Sequence, residues 1–219
     1  MVRFVGGVEM IQWFLKGGPV MWPLLLCSII AVAVAIERVL FWVKEHTAQD
    51  TSLIHKLLHL TERGLFEEAK VNACASRDAV ARVLCNGLSH HHFSLEGALE
   101  VTVQAEVKRM KRYLGVLDTI ITVAPLLGIF GTVTGILVAF GALEGRIPDP
   151  KIVASGIAQA VITTVAGLAI AIPTVIAYNY FCAKVEDAAG RIATHVTNFQ
   201  ILYQKGKARA ANAGEAVYR

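Results

Sequence analysis

The stretch TIITVAPLLGIFGTVTGILVAFGAL, Thr119 to Leu143, runs for 25 residues without an Asp, Glu, Lys or Arg. A bilayer core about 30 Å thick is crossed by roughly 20 apolar residues at 1.5 Å rise, so this stretch predicts a membrane-spanning helix. Two other stretches share the property, Gly17 to Ile36 and Ile152 to Ala183. The 219-residue chain around them is 55% hydrophobic and only 17% charged, with a mean hydropathy of +0.54. That balance excludes a soluble globule, a nucleic-acid binder, a secreted disulfide scaffold and a disordered chain. The formal net charge of +4 is explained by membrane topology rather than by a polyanionic partner.

The four cysteines, Cys27, Cys74, Cys85 and Cys182, contain no CxxC pair, and two of them lie in apolar runs. They read as small packed residues, with neither a zinc site nor a disulfide framework. Ala31-Val32-Ala33 imitates a signal-peptide cleavage site, yet a long mixed-charge lead precedes it and the apolar run continues past it. The first run is therefore expected to be a retained anchor.

Basic residues set the expected orientation. Residues 44–112 carry ten Lys or Arg and the tail from Lys184 carries six, whereas the lead has only Arg3 and Lys16 and the 144–151 loop only Arg146 and Lys151. The positive-inside bias places 44–112 and the tail in the cytoplasm and the N-terminus outside. The expected organisation is an outer interfacial segment 1–18, a first span 19–43, a cytoplasmic helical region 44–112, a second span 113–143, an outer loop 144–151, a third span 152–183 and a cytoplasmic tail 184–219. Lys108, Arg109, Lys111 and Arg112 would hold the start of the second span at the anionic cytoplasmic surface. Glu37 and Arg38, beside Phe41 and Trp42, read as an interface position.

Within 44–112 the helical periodicity is broken at Gly64, Ser76 and Gly87, and the apolar faces are too small for an independent core. From Leu95 the apolar residues recur every three or four positions through Ile121, with no Gly or Pro between Gly97 and Gly115. This predicts one helix from Leu95 to Leu143, roughly 73 Å long. A similar continuation is expected past Tyr178 toward Tyr203. The fold class is an all-α membrane protein with three transmembrane helices and long cytoplasmic helical extensions. His90-His91-His92 lies between Gly87-Leu88-Ser89 and Ser94 and reads as a solvated turn rather than a metal site.

The second and third spans carry the chemistry. Gly128, Gly131 and Gly135 lie on one helical stripe with Ala124, and Gly156, Ala160, Thr163, Gly167 and Ala171 draw another. Two such stripes let helices approach closely. Polar residues are few: Thr132, Thr134, Gln159, Thr163, Thr164 and, near the cytoplasmic end, Asn179. An unpartnered amide in hydrocarbon costs several kcal/mol, so Gln159 should face protein or a wet cavity, as helix glue or as pore wall. Asp118 falls near the cytoplasmic interface and reads as a polar mouth. The charge-free runs contain no His, no Ser-His pair and no paired Asp, so no catalytic residue or cofactor is expected.

At these two spans the sequence resembles the ExbB/TolQ/MotA family of proton-driven motor subunits. Pro125 to Gly135 is similar to the family's second-span signature. Gly156-Ile157-Ala158-Gln159-Ala160, Thr163-Thr164, Gly167-Leu168 and Ala171-Ile172-Pro173 are similar to its third-span signature. Three spans and a short outer loop point to the ExbB/TolQ branch. The resemblance implies a homopentamer in the bacterial inner membrane, surrounding single-span helices of an ExbD/TolR-like partner that carries a membrane Asp. It also implies pore-lining roles for Thr132 and Thr164, whose hydroxyls donate and accept hydrogen bonds. Gln159 departs from the pattern, because the family's best-known members carry a glutamate there. The charge-free runs thus hold no acid of their own, and the titrating carboxylate is expected from another polypeptide. The expected pore-lining set is Thr132, Gln159, Thr163 and Thr164. A self-sufficient ion channel, a non-conducting scaffold and Na⁺ in place of H⁺ remain open alternatives at this point.

Overall fold

The computed structural model describes residues 13–141 and 150–217, with side chains described except at 91–93 and 210–217. Among the described residues no strand occurs, and these helices follow the short helical stretch at 13–16: α1 Met21–Thr47, α2 Thr51–Glu62, α3 Phe66–Cys74, α4 Ala79–Ser89, α5 His91–Met110, α6 Leu114–Gly141 and α7 Pro150–Val217. Three of them, α1, α6 and α7, are long and apolar enough to cross a membrane. Their apolar windows are only 17%, 28% and 28% buried, which leaves most of that surface to lipid or to neighbouring helices. The chain divides into two compact units, Met1–Glu37 with Tyr113–Phe181, and Arg38–Arg112 with Cys182–Arg219.

In the first unit, residues 13–16 are helical and the chain turns at Gly17-Gly18-Pro19 before α1 begins. Gly18 takes a positive φ of 71°, a conformation that costs a side-chain-bearing residue. Residues 1–12 of the expected interfacial segment, and 142–149 of the expected outer loop, lie outside the described residues. Leu24 and Ala31 of α1, Leu117 and Ala124 of α6, and Ala160 and Ala171 of α7 are buried within this unit.

The second unit is a helical body with its own core: Ile54 and Leu57 from α2, Val83, Leu84 and Leu88 from α4, Leu99 from α5, and Val185, Ile192 and Phe199 from α7. Asp50 Oδ1 caps α2 through Leu53 N at 2.9 Å, and Asp78 Oδ1 caps α4 through Val80 N at 2.7 Å. Four charges tie three helices together. Arg82 of α4 reaches Glu45 of α1 at 3.2 Å and Glu106 of α5 at 2.8 Å, and Arg109 reaches Glu45 at 2.7 Å and Glu106 at 3.0 Å. The bond from Glu106, with the charges of both carboxylates, holds the Arg82 guanidinium above its ordinary value against its burial. Burial alone would raise the Glu106 carboxyl, yet Arg82 and then Arg109 hold it below the ordinary value.

Three expectations are corrected here. The single helix from Leu95 to Leu143 is interrupted at 111–113, where Tyr113 adopts a φ of 64° and α6 starts afresh at Leu114. Arg38, only 1% exposed, donates to the Met110 carbonyl at 3.1 Å and closes the end of α5, while its guanidinium lies 4.5 Å from the Phe41 ring. Periodicity missed this because the residue that turns, Tyr113, is neither Gly nor Pro, and the side chain that meets the end of α5 is 72 positions away. Gly87 does not break a helix but lies inside α4, where a Cβ would come within 2.9 Å of Leu99 Cγ, so its role is close approach of α4 to α5. The interruption falls instead at His90 and at Ser94, whose φ of −159° and ψ of 96° leave the helix and whose Oγ accepts from Gly97 N at 3.1 Å. Finally, Cys74 and Cys85 are disulfide-bonded, with Cα atoms 5.1 Å apart. Spacing along the sequence did not pair them because the bond crosses an antiparallel hairpin between α3 and α4.

Candidate ion pathway on the second and third spans

Two small-residue stripes meet in antiparallel register between α6 and α7. A Cβ built on Gly135 would lie 2.6 Å from Gly156 O and 2.9 Å from Ala160 N, one on Gly128 would lie 3.0 Å from Thr163 O, and one on Gly167 would lie 3.3 Å from Gly128 Cα. Gly156 in turn faces Ala139 Cβ at 2.9 Å, and Gly131 is filled by the Thr163 side chain. Gly128, Gly135, Gly156 and Gly167 therefore stand close against the opposite backbone, and Gly131 against the Thr163 side chain. The six expected packing positions, Gly128, Gly131, Gly135, Gly156, Ala160 and Gly167, all lie in this seam.

The four expected pore-lining residues separate into three environments. Thr163 is fully buried in the seam against Gly131, its hydroxyl donating to Gln159 O at 3.1 Å and Ala160 O at 3.0 Å, so it faces no opening among the described residues. It belongs to the same stripe as Gly156, Ala160 and Gly167, which explains its inward direction. Thr132 and Thr164 instead share an open groove of 480 Å³ with Ile136, Ile157, Ala160, Val161 and Val165. The Thr132 hydroxyl donates to Ile129 O at 2.5 Å, and Thr164 donates across the seam to Gly128 O at 3.4 Å. Both oxygens keep lone pairs that can accept a further hydrogen bond.

Gln159 lies elsewhere. A Cβ on Gly18 would come 2.7 Å from its Nε2, so the amide is packed against the Gly17-Gly18 turn that precedes α1. Asp118 is exposed in the second turn of α6, and its carbonyl accepts from the Thr122 hydroxyl at 3.4 Å. The groove's lining is thus hydroxyl and hydrocarbon, without a titratable side chain. His90, at the other expected polar cluster, has its Nδ1 3.0 Å from Asn86 O. The side chains of His91 and His92 lie outside the described ones, and among the described residues no three His, Cys, Asp or Glu gather to hold a metal.

Sequence reading missed the Arg38, Glu45, Arg82, Glu106 and Arg109 constellation. A signal was present: Arg38, Phe41 and Glu45 fall on one α1 stripe at spacings of three and four.

Residues 75–194 match the MotA/TolQ/ExbB proton channel family. Among curated relatives, the biopolymer transport protein ExbB-like 1 of Synechocystis sp. is 34% identical over 204 residues, covering 90% of this chain and 80% of the relative. The biopolymer transport protein ExbB of Salmonella typhimurium is 31% identical, covering 83% of this chain and 80% of its own. The Tol-Pal system protein TolQ of Pseudomonas aeruginosa is 41% identical over 110 residues, covering 49% of this chain and 48% of its own.

Proposed function

The chain belongs to the MotA/TolQ/ExbB proton channel family, and from that premise we propose that it is the larger subunit of a proton-driven motor of the ExbB/TolQ branch. It is an inner-membrane protein with three candidate spans and a proton-channel-related transport role. In the proposed assembly five copies form a ring, with the N-terminus periplasmic and the C-terminus cytoplasmic. The groove bearing Thr132 and Thr164 faces the ring's interior, and an ExbD/TolR-like single-span helix there brings the membrane Asp that carries the proton. Gln159 closes the periplasmic end of the wall, and Asp118 stands at the cytoplasmic mouth. Mechanical work on periplasmic or outer-membrane processes follows from movement of the guest helix as its carboxylate titrates.

The observation that carries this reading is the pairing of two hydroxyls on one open groove between helices whose charge-free runs, 119–143 and 152–183, hold no acid. Hydroxyl oxygens with free lone pairs accept from a protonated carboxyl or a hydrated proton, but an acid must supply the charge change. Thr132→Ala and Thr164→Ala test it directly. Both variants are expected to assemble with the single-span partner as the unaltered protein does, yet to lose energy-dependent envelope function. Full function in both variants would favour a structural scaffold instead.

A further inference from the structure

We propose that Cys74 and Cys85 form a thiol switch, a bond that fastens α3 to α4 when oxidised and frees α3 when reduced. The two sulfurs are joined in the structure, at the last residue of α3 and in the second turn of α4. Cys74 is exposed and Cys85 half-buried, so a thiolate arriving from solvent meets the Cys74 sulfur first.

The two legs of the hairpin are held unequally. Helix α3 has nine residues, its Leu65 N-cap makes no side-chain hydrogen bond, its buried residues are Ala69 and Ala73, and its ties outside the disulfide include the Phe66 ring 4.8 Å from the Tyr203 ring and an exposed bond from Lys56 Nζ to Asn72 Oδ1 at 3.3 Å. Helix α4 is capped by Asp78, buries Val80, Ala81, Val83, Leu84, Gly87 and Leu88, and is tied through Arg82 to Glu45 and Glu106. Opening the bond leaves α3 with fewer ties than α4, so α3 is the leg that loosens while α4 stays in place. The expected cytoplasmic location of 44–112 puts the pair where glutathione and thioredoxin-type dithiols keep thiols reduced, which suits a bond that cycles rather than a permanent staple.

In the reductive direction a thiolate of a dithiol reductant attacks the Cys74 sulfur. The Cys74–Cys85 bond breaks, and Cys85 leaves as a thiolate that takes a proton from solvent. The reductant's second thiolate then attacks its own sulfur in the mixed disulfide and releases Cys74. Two electrons pass to the cysteine pair, and the reductant ends as a disulfide. In the reverse direction a small thiol oxidant such as diamide takes two electrons and two protons from the pair.

Native membranes treated with diamide or with dithiothreitol, then alkylated and peptide-mapped, test the chemistry; amide exchange of 66–74 against 99–107 tests its consequence. Cys74 and Cys85 should resist alkylation after diamide and accept it after dithiothreitol. Exchange in 66–74 should rise at least tenfold on reduction, with 99–107 unchanged. The Cys74→Ser variant should match the reduced protein under both treatments. Alkylation of both cysteines after diamide, a bond that survives dithiothreitol, or equal exchange of 66–74 in the two states would each overturn the proposal.

Discussion

Arg38 shows how much a single residue decides. It is almost wholly buried, and its bond to the Met110 carbonyl sits where α5 ends. Arg38→Gln should lower the stability of the solubilised protein by about 1–3 kcal/mol, because a buried acceptor and a cation's packing are disturbed together. Chemical denaturation checks it; an unchanged midpoint would mean that the bond holds nothing. The sequence placed Arg38 at an interface on composition alone, since the carbonyl it serves is 72 positions away and no local pattern encodes such a partner. His195 is a second case. Its Nδ1 is buried without a hydrogen-bond partner among the described residues. Burial lowers the ring below its ordinary value; Asp78 opposes this, while His55 and Arg191 reinforce it. The unfolded chain thus takes up a proton more readily, so the stability from neutral His195 is complete above about pH 6.5 and is lost as pH falls through the depressed native value. Melting temperatures at pH 7.5 and 5.5 should differ less for His195→Gln than for the unaltered protein, and parallel losses in the two would contradict this.

At the scale of elements, the seam between α6 and α7 was legible because close helix approach in a membrane demands small residues at fixed spacing. The break at 111–113 was not, because a non-glycine residue in a left-handed conformation carries no sequence mark. The seam makes a sharp contrast among glycines. Gly135→Ala and Gly156→Ala should each cost about 1–3 kcal/mol through overpacking against backbone. Gly115→Ala and Gly141→Ala, with nothing within 4 Å of the added methyl, should leave thermal stability unchanged or slightly higher. Equal effects at the four positions, read by thermal unfolding in detergent, would remove the seam from the account. The resemblance named Thr132 and Thr164 together; their shared groove shows only in three dimensions, where Thr163, with the same chemistry, turns into the seam. Residue type named three threonines; helix phase selected two.

For the whole molecule, the three apolar runs and the second- and third-span patterns carried the fold class and the family, whereas the second unit's packing depended on long-range pairs that periodicity does not reveal. Its Glu45, Arg82, Glu106 and Arg109 set is one such group. Arg82→Met should lower the second unit's resistance to unfolding, because Glu45 and Glu106 lose a shared cation; Arg82→Lys should recover part of it, since an ammonium keeps the charge without the fork. The proposed function places the titrating acid outside this chain. The most direct measurement is proton flux into liposomes, read with an internal pH dye, for this chain alone, with a single-span partner bearing a membrane Asp, and with that partner's Asp changed to Asn. The account expects flux only in the second case; flux through this chain alone, at a rate the partner does not raise, would contradict it.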